Sequence, residues 1–221
     1  MKPLSYVIII LCISSCTRSS FDASGNSDVT NNTVKQNMTS TKLSPGQYVQ
    51  WVEAKENGLR KEKVIDDIIY SGQYKPCNYV ICEEERTNSL ADSTLKKKTG
   101  ELNGMQYYNL RIEIKDGHGE LLKYGIASAD EYKERLNYFA FGMQNDVKLV
   151  EGNDTVPCLL FHYERTYDVV PYGTFLLAFP LPKNAATDRT LIFFDHGFNK
   201  GIIKLFYRGV DINNQPQLEV I

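Results

Sequence analysis

Residues 157–182, PCLLFHYERTYDVVPYGTFLLAFPLP, restrict the fold more than any other part of the chain. Leu159, Phe161 and Tyr163 make one apolar face, and Leu160, His162 and Glu164 make a second face that turns polar towards its end. After an intervening loop, Phe175, Leu176, Leu177, Ala178 and Phe179 form a short apolar run bounded by turn residues. Alternation with a period of two, together with aromatic enrichment, selects strands over a helix. Two strands alone are marginal in water, so this segment is read as the centre of a larger β-rich core.

The same pattern recurs along the chain. Residues 105–115 are the most regular case: Tyr108, Leu110, Ile112 and Ile114 oppose Tyr107, Asn109, Arg111 and Glu113. One dry face and one wet face suit an antiparallel sheet. Residues 61–70 alternate imperfectly around Asp66 and Asp67, which reads as a strand with a bulge or bend. Ser71 and Gly72 read as a turn, and residues 79–82 as another short apolar segment. Residues 138–143, 147–150, 191–194, 202–207 and 218–221 complete the strands. Ser44, Pro45 and Gln47 form a capping box that opens a helix carrying Tyr48, Trp51 and Val52 on one face, and Ser128 with Glu131 opens a second. Residues 90–98 are lysine-rich and read as an exposed helix. The expected fold is mainly β: an immunoglobulin-like β-sandwich with two or three peripheral short helices, with an α+β arrangement as the alternative. Ile112, Phe161, Leu177 and Phe193 are its expected core residues.

Residues 1–15 read as a lipoprotein signal peptide. Lys2 supplies the basic start, and the apolar stretch from Val7 to Ile13 is too short to remain as a spanning helix. It ends at Ile13, Ser14, Ser15 and Cys16, which resembles a bacterial lipobox. That resemblance implies a diacylglycerol on the Cys16 thiol, cleavage before it and acylation of the new amino terminus. Each buried CH2 of such chains adds about 0.8 kcal/mol, so several chains make a durable membrane anchor. Residues 16–43 read as a polar tether that cannot offset its own ordering entropy, and residues 44–221 as a single globular domain. Outward-facing lipoproteins of the Bacteroidetes carry acidic residues directly after the cysteine. Here the first charges are Arg18 and Asp22, so the expected address is the periplasmic side of the outer membrane.

Three stretches carry a second resemblance: HYERTYDVVPYGTFLLAF at 162–179, DHGFNKG at 195–201, and the strand IIKLFY that follows. The first is similar to the late strands of telokin-like, immunoglobulin-like domains of bacterial extracellular lipoproteins, where a proline-containing loop precedes a strand of the form F-x-L-x-F. Phe175, Leu177 and Phe179 fit that form. The whole chain also resembles uncharacterised lipoproteins of the Bacteroidetes. The resemblance implies a protein-binding or structural role and transfers no catalytic residue.

Charge narrows the partners. With 25 basic and 27 acidic residues, the chain lacks the basic excess that a nucleic-acid partner requires. His162 and Glu164 share a strand face and could join His118 or His196 in a metal set, but no HExxH or comparable spacing is present, and no metal or cofactor is expected. No G-x-S-x-G elbow appears. Cys158 and His162 would stand about 13 Å apart along a strand, too far for a nucleophile and its base. The reading is a non-catalytic, lipid-anchored protein that binds an envelope partner or assists envelope assembly. A carbohydrate or small-ligand binding lipoprotein is the alternative, and an enzyme comes third. Trp51, His162, Tyr163, Glu164, Tyr167 and Tyr172 are the candidate binding surface, the tyrosines forming a rim at one end of the sheets. Trp51 and these rings have a purely structural reading too, as packing for the first helix and cover for the loop at 169–171. Cys77, Cys82 and Cys158 are expected as free thiols, with Cys82 and Cys158 buried.

Replacing Cys16 with alanine is expected to move the protein from the membrane to the soluble fraction. An unchanged membrane fraction, with an amino-terminal peptide of unmodified mass in the wild type, would reject the anchor.

Overall fold

A computed structural model describes residues 41–117, 119–166 and 169–221. The expectations placed on Cys16, His118 and Tyr167 lie outside the described residues. The strands are β1 (Lys42–Leu43), β2 (Arg60–Ile65), β3 (Ile68–Lys75), β4 (Met105–Ile114), β5 (Lys148–Glu151), β6 (Asp154–Pro157), β7 (Leu160–Glu164), β8 (Tyr172–Pro180), β9 (Arg189–Asp195), β10 (Gly201–Tyr207) and β11 (Gln217–Leu218). The helices are α1 (Pro45–Glu53), α2 (Cys77–Glu85), α3 (Asp92–Glu101), α4 (Ala129–Asn137) and α5 (Gly209–Asn213). Strand exceeds helix, so the fold is mainly β with several short helices.

Two antiparallel sheets account for most of the strands. One has the order β2-β3-β4-β8-β7 and the other β10-β9-β5-β6, while β1 pairs in parallel with β11. Alternation puts Tyr108, Leu110, Ile112 and Ile114 of β4 inward, beside Phe175, Leu177 and Phe179 of β8. Leu191 and Phe193 of β9 and Ile203, Leu205 and Tyr207 of β10 face them. The Tyr70 and Phe193 rings lie 5.7 Å apart, and those of Tyr108 and Tyr207 5.4 Å apart, so the two inner faces share one core. Each large apolar side chain buried there contributes about 1.5–3 kcal/mol. The strand order is not the A-B-E-D and C-F-G arrangement of an immunoglobulin domain, because β2, β3 and β4 are consecutive neighbours in a single meander.

Several sequence expectations change. The segment at 61–70 is no bent strand: Asp66 and Asp67 form a two-residue hairpin between β2 and β3, with Asp66 at φ 53. An aspartate tolerates that left-handed conformation better than most residues. Ser71 and Gly72 are not a turn but the middle of β3. A Cβ on Gly72 would stand 2.3 Å from the Tyr207 hydroxyl and 2.7 Å from Leu205 Cδ1. At this glycine the second sheet therefore comes too close to the backbone to leave room for a side chain.

Residues 79–82 are helical, within α2, which starts after Pro76 and ends at Arg86 in the left-handed region. Residues 138–145 are helical too: Phe139 and Met143, four apart, are buried, while Phe141 is 74% exposed. That is helix spacing rather than strand spacing. Finally, β7 is an edge strand, not the centre of a sheet, and Phe161 is only half-buried. Ile112, Leu177 and Phe193 are fully buried as expected.

Helices α1 and α2 pack on each other, as do α2 and α3. The capping box at Ser44 is formed, its backbone N–H donating to Gln47 Oε1 at 3.1 Å. α2 lies beside the outward face of the five-stranded sheet, where its Tyr79 and Glu83 share a groove with strand residues.

Gly72→Ala is expected to destabilise the domain by about 1–3 kcal/mol through overpacking. Gly100→Ala, in α3 with nothing near its Cβ position, is expected to stabilise it by roughly 0.5–1 kcal/mol. Paired urea melts check both. Equal effects at the two positions would mean that the sheets do not meet at Gly72.

Candidate functional site

The outward face of the five-stranded sheet carries two polar rows. Glu62, Ser71, Arg111, Thr174 and Glu164 lie on one cross-strand line, and Arg60, Gln73, Asn109, Leu176 and His162 on the next. α2 rises beside them as a wall. The result is a groove of about 900 Å3 bordered by α2, Tyr107, Asn109, Leu160 and Glu164. It adjoins a second hollow of about 420 Å3 that reaches Arg60, Arg111 and Tyr172. Glu83 and Asn109 belong to both.

The polar groups of the groove are unevenly satisfied. The Arg111 guanidinium lies flat over the Tyr172 ring, 3.4 Å from its centroid, and one nitrogen pairs with Glu113 at 2.8 Å. Among the described residues, its Nε has no hydrogen-bond partner, and neither does Asn109 Oδ1. In the wall, Tyr79 donates to Glu53 at 3.0 Å, and Lys75 pairs with Glu83 at 2.7 Å. Burial, and then the nearby Glu83 and Glu53, hold the Tyr79 phenol well above its ordinary range.

The six residues singled out from sequence do not form one surface. Glu164 lines the groove and Tyr172 the adjoining hollow, and His162 sits exposed on the adjoining row at the sheet edge. Tyr163 points the other way, into the core, its ring 4.9 Å from Phe175 and nearly parallel to it. Burial pushes its phenol up to about 12. Neighbouring residues of a strand project to opposite faces, so a rim containing both His162 and Tyr163 cannot form on β7. Trp51 packs partly buried against the core on α1, outside the groove; its carbonyl accepts from Asn57 Nδ2 at 2.7 Å. The residues that sequence reasoning passed over are Asn109 and Arg111. Their signal was the wet face of the most regular strand.

Among the described residues, no group of three or more histidine, cysteine, aspartate or glutamate side chains is placed to hold a metal ion. His196 stands 3.8 Å from Asp146, away from His162 and Glu164. Cys158 donates its S–H to the Leu160 carbonyl at 3.0 Å. Burial pushes both it and Cys82 up to about 11, the opposite of an activated thiol.

The outward face of the four-stranded sheet differs in kind. Ile202 stands beside Phe194; Lys204, Ile192 and Lys148 form the next row; Phe206, Thr190 and Val150 the third. Phe194, Ile202 and Phe206 are 43%, 54% and 51% exposed, although outward positions of a one-sided antiparallel sheet are ordinarily polar. Lys148 and Lys204 stand exposed among them with no ion-pair partner among the described residues. No protein-family model, curated protein or solved structure matches this chain.

The thiols give a pH prediction. Cys77, Cys82 and Cys158 are free, so mass mapping after alkylation of unfolded, never-reduced protein should find all three modified. In the native protein, alkylation of Cys82 and Cys158 should keep accelerating up to about pH 11, where an ordinary thiol has already levelled off. The same sign applies to stability. Raised thiol pKa values stabilise fully below the unfolded pKa, and that contribution is lost as pH rises through about 11. A plateau of alkylation near pH 9 would contradict the burial of both residues.

Proposed function

We propose that this chain is a non-catalytic, lipid-anchored protein of the bacterial cell envelope, held at Cys16 on the periplasmic side of the outer membrane, which binds another envelope protein through the outward face of its four-stranded sheet. The observation that carries the reading is the exposure of Phe194, Ile202 and Phe206 on one sheet face. Contiguous exposed apolar side chains on a soluble domain mark an interaction surface. Lys148 and Lys204, set between the apolar rows, select the partner: a protein surface with apolar side chains at its centre and carboxylates opposite the two ammonium groups. A second copy stacked face to face would bring ammonium groups towards one another. A lipid surface gains only about 1 kcal/mol per lysine, so two lysines provide little attraction.

A photo-crosslinking residue at Ile202 or Phe206, in cells of the native host, is expected to capture one envelope protein. The same probe at Lys97, on the exposed side of α3, should not. Lys148→Glu with Lys204→Glu should reduce the capture at least several-fold while leaving the melting temperature unchanged. Equal capture from Lys97, capture of a second copy only, or no capture from either face position would reject the reading.

A further inference from the structure

The groove on the other sheet carries a separate inference. We propose that it binds a neutral, polyhydroxylated chain, that is, a segment of an oligosaccharide, lying across β4 and β8 between Tyr107 and Tyr172.

Four observations point there. First, the hollow of about 900 Å3 is within the size range of ligand sites and continues into a second hollow. Tyr107 lines the larger hollow and Tyr172 the smaller: Tyr172 pairs with Glu113, six residues along β4 from Tyr107, so the two positions stand about 20 Å apart along the strand. That is room for several sugar rings. Second, two residues of the floor each carry an enclosed polar atom with no hydrogen-bond partner among the described residues: the acceptor Asn109 Oδ1 and the donor Arg111 Nε. Such groups are costly to leave without partners. A hydroxyl is the ligand group that both donates and accepts, and so can serve either of them. Third, Arg111 is already fixed, stacked on Tyr172 and tied to Glu113, so little is lost in ordering it when a ligand arrives. Fourth, the charges balance. Lys75, Arg60, Arg86 and Arg111 are matched by Glu53, Glu83, Glu84 and Glu164. No field of one sign is available to select an anion or a cation.

A bound peptide is the competing occupant, and the location argues against it. Peptides commonly add to a sheet by pairing with a free edge. This groove runs over the side chains of the central strands β4 and β8, whose backbones are already paired on both sides. Polar side chains and a tyrosine platform are what remain to make contacts, and a sugar ring can stack on such a ring while its hydroxyls reach the amide and the guanidinium.

The test uses the full-length protein in detergent and isothermal titration with five neutral hexasaccharides: maltohexaose, cellohexaose, xylohexaose, mannohexaose and chitohexaose. A neutral hexapeptide of glycine and serine is the comparison. At least one saccharide should bind, with the peptide not competing. Asn109→Ala and Tyr107→Ala should each weaken binding by about tenfold or more, the scale of one good hydrogen bond or ring contact. Glu164→Gln, on the exposed edge strand, keeps the test meaningful if either of those variants fails to fold; it should weaken binding about threefold. Ile202→Glu, on the other sheet, should leave saccharide affinity unchanged, which separates this site from the protein-docking face. Failure of all five saccharides to bind, binding indifferent to the groove variants, or displacement by the peptide would overturn the proposal.

Discussion

The close approach of the two sheets at Gly72 is the contact on which the rest of the structure depends. The volume of a missing Cβ is taken by the Tyr207 hydroxyl and Leu205. That approach lets an aromatic chain run through the core. Tyr74 meets Tyr108 at 5.2 Å, and Tyr108 meets Phe179 at 5.7 Å and Tyr207 at 5.4 Å, all near edge-to-face. Each such pair adds about 0.5–1.5 kcal/mol beyond its area. One end of this core is unusually polar. Arg189 is buried, 5.6 Å from the Tyr74 ring centroid, directly opposite Glu151 in the ladder, and Glu151 in turn accepts from Gln106. Among the described residues, two Arg189 nitrogens and the Tyr207 hydroxyl have no hydrogen-bond partner, so this end costs stability that the aromatic packing beside it must offset.

Because both inner faces are committed to the core, only the outer ones are open, and these differ for a local reason. α2 covers the five-stranded sheet on one side and makes it concave; nothing comparable among the described residues covers the four-stranded sheet. α2 is an awkward helix, since Glu83, Glu84 and Glu85 stand at its C-terminal end, where the helix dipole disfavours negative charge. Lys75 meets Glu83, and Lys98 of α3 meets both Glu84 and Glu85 at 2.8 and 2.7 Å. The groove wall is thus held by cations from β3 and α3 rather than by the helix's own preferences.

How much of this was legible in the sequence depended on the length of each pattern. Ten residues of strict alternation gave β4 with its correct faces, and with them the burial of Ile112 and the outward placement of Asn109 and Arg111. Four or five apolar residues do not distinguish a strand from a helical turn, so the segments holding Ile81 and Phe139 were misread. Gly72 looked like a turn because a glycine required by a neighbouring sheet leaves no local mark. The candidate surface was divided for a related reason. Tyr163 and His162 are adjacent in sequence, and it was their shared neighbourhood, rather than the strand face each occupies, that suggested a rim.

The exposed apolar face also inherits rigidity from the core beneath it. Asp195 is buried directly after the exposed Phe194; it accepts from the Tyr70 hydroxyl at 2.6 Å and from the backbone N–H groups of Phe198 and Lys200. Burial, and then the bond to Asp195, raise the Tyr70 phenol far above its usual range, so the tyrosine keeps its proton throughout the physiological range. The outer link between the same two hairpins, Lys200 to Asp66 at 2.8 Å, is exposed on the aspartate side and worth little. It is therefore the buried pair that fixes the β9–β10 turn, and with it Phe194 and Ile202 on either side. A face held in this way loses little freedom when a partner covers it. On the proposed reading, the two lysines between the apolar rows set the choice of partner: the apolar rows supply contact area to any apolar surface, and charge decides which surface is accepted.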